Sequence, residues 1–90
     1  MFSITPAEIA AVKTAVITRE VGAPPTQERL DSFVVVSLQT NGNFTTAVVN
    51  HANRLFIGAS KRNPKDAPNQ AIGDRIAIAR AMRQACQFRR

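Results

Sequence analysis

Ser32-Phe33-Val34-Val35-Val36-Ser37-Leu38-Gln39-Thr40 runs straight into Asn41-Gly42-Asn43 and then into Phe44-Thr45-Thr46-Ala47-Val48-Val49. The first run is dense in β-branched residues, whose stiff side chains suit a pleated surface, and it is apolar at odd and even positions alike. It therefore reads as an inner strand covered at least partly on each side. Asn-Gly between two β-prone runs supplies the positive φ angles of a tight hairpin, so the second run should return antiparallel beside the first. Asn50-His51-Ala52-Asn53 makes a second turn, and Arg54-Leu55-Phe56-Ile57-Gly58-Ala59-Ser60 a third strand that Gly58 should shorten. The expected centre of the fold is a three-stranded antiparallel meander.

Helical patterns flank it. In Thr5-Pro6-Ala7-Glu8 the threonine hydroxyl can accept from the Glu8 amide, proline suits the first helical position, and the Glu8 side chain can reach back. Ile4 and Ile9 form a hydrophobic staple, and Ile9, Val12 and Val16 extend an apolar stripe to about Arg19. Gly22-Ala23-Pro24-Pro25-Thr26 then breaks the helix, because paired prolines remove backbone donors and hold the chain extended. After a Pro-containing loop from Lys61 to Asn69, the chain is helical in composition to about Phe88. Ile72, Ala79, Met82 and Cys86, flanked by Ile78 and Ala85, give an apolar stripe, with Arg80, Arg83, Gln84 and Gln87 opposite. Ile76 falls on the polar side, and Gly73 in the first turns implies a close approach to the sheet or a partner. The expected fold is α+β, one small domain over residues 1–90: helix, three-stranded meander, C-terminal helix.

Charge is strongly partitioned. From Arg54 onward nine Lys and Arg face two acids, a balance of +7; before Arg54 three bases face four acids, giving −1, within a total of +6. Such a one-sided field recruits anionic partners. Arg outnumbers Lys nine to three, which favours bidentate contacts to phosphate or carboxylate. The single cysteine, Cys86, leaves no intrachain disulfide to form, pointing to a reducing, cytoplasmic setting, and no apolar run is long enough for a membrane span.

The chemistry-bearing residues do not converge on a reaction. His51 is the sole histidine, in an Asn-rich turn where an imidazole is usually exposed; no Cys, His or acid cluster accompanies it as a metal set would require. Cys86 lies on the apolar stripe as a small hydrophobe. Paired carboxylates, a Ser-His-Asp set and a Gly-rich phosphate loop are all lacking, so neither enzyme activity nor a cofactor is expected. The candidate binding residues are Lys61, Arg62 and Lys65, three bases within five residues, together with Arg80 and Arg83 on the exposed helix face. Arg89 and Arg90 add a basic tail.

The element order is that of the double-stranded RNA-binding domain, and Ala59-Ser60-Lys61-Arg62 resembles that family's small-Ser-Lys-Lys entry to its second helix. The resemblance implies a phosphate grip at a helix N-terminus. This chain departs from it by the Pro-rich loop after Arg62 and by a first hairpin turn too short to enter a minor groove. A closer resemblance is to short actinobacterial and phage proteins of unassigned function. It is carried by Gly58, Arg62-Asn63-Pro64-Lys65-Asp66, Ile72-Gly73 and Ala77-Ile78-Ala79-Arg80-Ala81. That group implies a sheet capped by a helix, and no catalytic residues.

Two functions follow as expectations. The first is a non-enzymatic protein that binds structured or double-stranded nucleic acid, RNA or DNA, through Lys61, Arg62, Lys65, Arg80 and Arg83. The other is an adaptor or inhibitor of the kind found in phages and mobile elements, docking on an acidic protein surface with Ile76 and Phe88 among its arginines. A homo-oligomer pairing an open sheet edge or the apolar helix stripe is compatible with both. No membrane partner is expected.

Overall fold

The computed structural model of the protein describes residues 4–61 and 70–88. In chain order these form helix α1 (Pro6–Val21), a short helix α2 (Gln27–Asp31), strands β1 (Val34–Asn41), β2 (Phe44–His51) and β3 (Arg54–Lys61), and helix α3 (Gln70–Gln87). The class is α+β, with a three-stranded antiparallel sheet in the order β1-β2-β3. Helix α2 is the element absent from the sequence reading. It is five residues long, too short for a periodic signal, and Thr26 starts it by accepting the Arg29 N–H at 3.2 Å.

Local chemistry accounts for the element ends. Thr5 Oγ1 accepts from the Glu8 N–H at 3.1 Å while Glu8 Oε1 accepts from the Thr5 N–H at 3.4 Å, closing the capping box. Helix α1 outlasts Arg19 by two residues and stops at Gly22, whose φ of 85° is the left-handed C-terminal cap that glycine adopts without strain. Both hairpins use two-residue loops. Asn41 pairs with Phe44, so the first loop is Gly42-Asn43, one residue on from the expected Asn-Gly centre, with Gly42 at φ 64°. In the second loop Ala52 and Asn53 are both left-handed, at φ 53° and 63°, as a type I′ turn requires.

All the helices lie on one face of the sheet. Helix α3 crosses β2 and β3, and α1 packs alongside α3. Thr45, Ala47 and Val49 of β2 and Phe56, Gly58 and Ser60 of β3 point into this layer, where Phe33, Ile17, Ile78 and Met82 are fully buried. The buried side of α3 is Asp74, Ala77, Ile78, Ala81, Met82 and Ala85. That stripe is turned from the expected one, leaving Ile72 exposed. The cause is Gly58, which continues β3 rather than shortening it: a Cβ there would overlap the backbone of Ala77 and Ala81. Directly over Gly58 only small residues of α3 fit, and Ala77 and Ala81 stand there.

Strand β1 corrects a second expectation. It is an edge strand covered on one face, with Val34 and Val36 exposed. Its apolar character at odd and even positions has a local reason as well, because the register slips between Val35 and Ser37. The β-bulge sets Val36 and Ser37 together opposite Val48, on the side away from the helices.

Candidate functional site

The proposed cations divide between two sides of the molecule. Lys61 ends β3 on the outer side of the sheet, its Nζ 5.6 Å from the centroid of the Phe44 ring. Arg80 is exposed on α3 and reaches the same strand, donating from Nη1 to the Ala59 carbonyl at 2.6 Å. Ala59 is two residues from Lys61, so these two charges share the distal end of β3. Arg83 turns the other way: its Nε lies 3.6 Å from Glu20 Oε1 on α1, and Gln87 Nε2 donates to the same carboxylate at 3.4 Å. Helical spacing explains the split, since Arg80 continues the row of Ile72 and Ile76 while Arg83 continues that of Arg75 and Ala79. Ala79 and Arg83 line a shallow groove with Val16, Arg19 and Glu20 of α1. Arg62 and Lys65, with Pro64 and Asp66 of the same motif and the tail residues Arg89 and Arg90, lie outside the described residues.

Arg54 joins the first pair and was missing from the sequence-derived set. It opens β3, with its guanidinium carbon 4.6 Å from the centroid of Phe88, whose ring in turn meets Phe56 edge-on at 5.7 Å. Arg54 and Lys61 thus mark the two ends of one edge strand, roughly 23 Å apart at 3.3 Å per residue. Its charge was visible in the sequence, but its alignment with Lys61 needed the strand boundaries. The other acids among the described residues sit elsewhere: the half-buried Glu8 and Glu20 on α1, and the exposed Glu28 and Asp31 on α2. The described acid on α3, Asp74, is buried beside the junction where Ser60 Oγ donates to the Gly73 carbonyl at 2.9 Å.

His51 and Cys86 have structural surroundings. The His51 ring stacks on Phe33 with centroids 3.9 Å apart, and its Nδ1 lies 3.2 Å from the Ser32 carbonyl, so the half-buried imidazole ties the end of β2 to the start of β1. Burial pushes the Cys86 thiol up from its ordinary pKa, with Glu20 adding to the rise and Arg29 opposing it; a thiol so held is a poor nucleophile. Among the described residues no three of His, Cys, Asp and Glu are grouped to hold a metal ion, and no helix is long and apolar enough to cross a membrane.

Fold and site together define a small α+β protein with its helices on one face of a three-stranded sheet and with Arg54, Lys61 and Arg80 at its β3 edge. Its sequence from residue 33 to residue 87, more than half of the chain, matches the family described as Rv2632c-like, and the chain belongs to that family. The match runs from the residue before β1 to the end of α3 and leaves α1 and α2 outside. No curated protein and no solved structure matches the chain. Within the matched region Gly58, Gly73, Ala77 and Ala81 all lie where α3 meets the sheet, so these motif positions are packing positions.

Proposed function

We propose that the protein is a non-enzymatic binding module that engages the phosphate backbone of structured or double-stranded nucleic acid along its β3 side, in the reducing cytoplasmic setting that the lone Cys86 favours. The observation that carries this reading is the segregation of charge. Arg54, Lys61 and Arg80 lie along β3, the chain continues from Lys61 into Arg62 and Lys65, and the exposed described acids belong to α2. The described acid beside β3, Asp74, is buried, and an anion approaching this edge meets Arg54 and Arg80 from the helix side of the strand and Lys61 from its outer side. The helix-meander-helix order, like that of the double-stranded RNA-binding domain, supports the same reading. Arg83, half exposed beside Glu20, lies on the α1 side, away from this edge.

The test is binding to duplex RNA and duplex DNA across a salt series. The expected log–log slope is about −2 to −4, and Lys61→Gln should flatten it by about one unit. A salt-independent affinity, or no binding at low salt, would remove the proposal. One observation favours the adaptor reading: Ile72 and Ile76 are exposed on the same helical row as Arg80, a mixed apolar and basic strip. A protein partner retained after nuclease treatment and lost in Ile76→Glu would support that reading instead.

A further inference from the structure

The sheet has two faces and the helices cover one. On the other, Val34 and Val36 of β1, Phe44 of β2, and Leu55 and Ile57 of β3 are between 51% and 63% exposed, and Val48 lies half-buried among them. Val34, Val36, Leu55 and Ile57 gather around Val48 and leave roughly 350 Å² of apolar surface in contact with water, within the range for the largest patch on a monomer, with Phe44 apart at the far end. The register arranges them in order. Val34, Asn50 and Leu55 form one row across the sheet, Val36, Val48 and Ile57 the next, then Gln39, Thr46 and Ala59, and last Asn41, Phe44 and Lys61. The apolar rows occupy one end, and Lys61 is the one charged side chain in these four rows.

We infer that this face packs against the same face of a second copy, giving a homodimer of two sheets with the helices outside. The occupant is argued from charge and from symmetry. Among the described residues a phosphate-bearing partner would find a single cation on this face, at a corner. A second copy of a chain carrying +6 needs a surface free of like charge, and this face nearly is one. A two-fold axis along β2 exchanges β1 with β3. It places Val34 against Leu55 of the partner subunit, Val36 against the partner subunit's Ile57, and Val48 beside the partner's Val48. The same operation sets Lys61 over the neutral Asn41 of the partner subunit and keeps the two lysines on opposite sides.

The strands of the two sheets then run nearly aligned, the usual way apolar sheet faces stack about 10 Å apart. Together with the polar side chains around it, the patch approaches the roughly 800 Å² per partner of a standard interface. Both β3 edges stay at the perimeter, so pairing leaves Arg54 and Arg80 open and Lys61 at the rim of the interface. The inference is independent of the nucleic-acid reading, because it is tested with no nucleic acid present.

Sedimentation equilibrium of the wild-type chain at roughly 100 µM should give twice the 9.8 kDa chain mass. Ile57→Glu, on a side chain already exposed in the single chain, should keep the circular dichroism spectrum and raise the dissociation constant about 100-fold or more. Because Val48 lies at the axis, Val48→Cys in a Cys86→Ala background should be joined between copies by a short bis-maleimide, which spans the gap between stacked sheets that a direct disulfide cannot. A wild-type monomer at that concentration overturns the inference. So does a dimer that Ile57→Glu leaves intact and Val48→Cys does not cross-link.

Discussion

Gly58 lets α3 settle close onto the sheet by having no side chain. Its Cα faces the backbone of Ala77 and Ala81, which cannot step aside without lifting α3 from the sheet. Gly58→Ala should therefore destabilise the protein by about 3 kcal/mol, at the top of the range for overpacking. Gly73 offers the comparison. A Cβ there would come 3.2 Å from the hydroxyl oxygen of the buried Thr45, a tight side-chain contact rather than a backbone overlap, and alanine gains about 1 kcal/mol of helix propensity over glycine. Gly73→Ala should fall within about 1 kcal/mol of wild type, and urea denaturation of the pair checks the contrast. Gly73 was legible in the sequence as a close approach. Gly58 was read as a strand terminator, because a glycine in a short apolar run cannot announce what lies above it.

At the scale of elements, the strands and the first helix were legible because each has a local cause. Thr5 and Glu8 close their box within four residues, and the turn residues between the apolar runs impose the hairpins. The second turn carries a strain of its own: Ala52 holds φ 53°, where its Cβ crowds the following carbonyl oxygen at a cost of about 1–2 kcal/mol. Asparagine tolerates this region far better, so Ala52→Asn should raise stability by about 1 kcal/mol and the thermal midpoint by a few degrees, read by calorimetry. No change on that substitution would argue against a two-residue I′ loop. The stripe on α3 was misplaced for a non-local reason. Apolar spacing weights Ile72 and slights alanine, whereas the sheet selects for smallness at 77, 81 and 85.

For the molecule as a whole, the titration of two side chains in the helix layer shapes stability at alkaline pH, with opposite signs. Burial raises the Cys86 thiol, so above pH 9 the unfolded chain loses this proton before the folded one does, and stability falls as pH rises toward the folded value. Burial lowers Lys13, whose Nζ donates to the Leu30 carbonyl at 3.4 Å, although Asp31 opposes the shift. Below the folded value both states are protonated and the burial cost is fully felt; as pH rises from there toward 10.5 that cost is relieved. Denaturation between pH 8 and 10.5 should show Cys86→Ala losing less stability than wild type as pH rises, and Lys13→Met lacking the opposing gain. Parallel profiles for all three proteins would refute both assignments.

The amino-acid sequence on its own determined the order of elements, the hairpin meander, the capped first helix and the excess of positive charge after residue 53, since each of these follows from composition or from neighbours a few positions apart. Which way α3 faces, that β1 is an edge, that Arg80 turns to β3 while Arg83 turns to Glu20, and that one whole sheet face is bare were decided only by tertiary structure. Those outcomes depend on contacts between residues far apart in the chain, as with Gly58 beneath Ala77 and Ala81, and local periodicity carries no record of the surface it will meet.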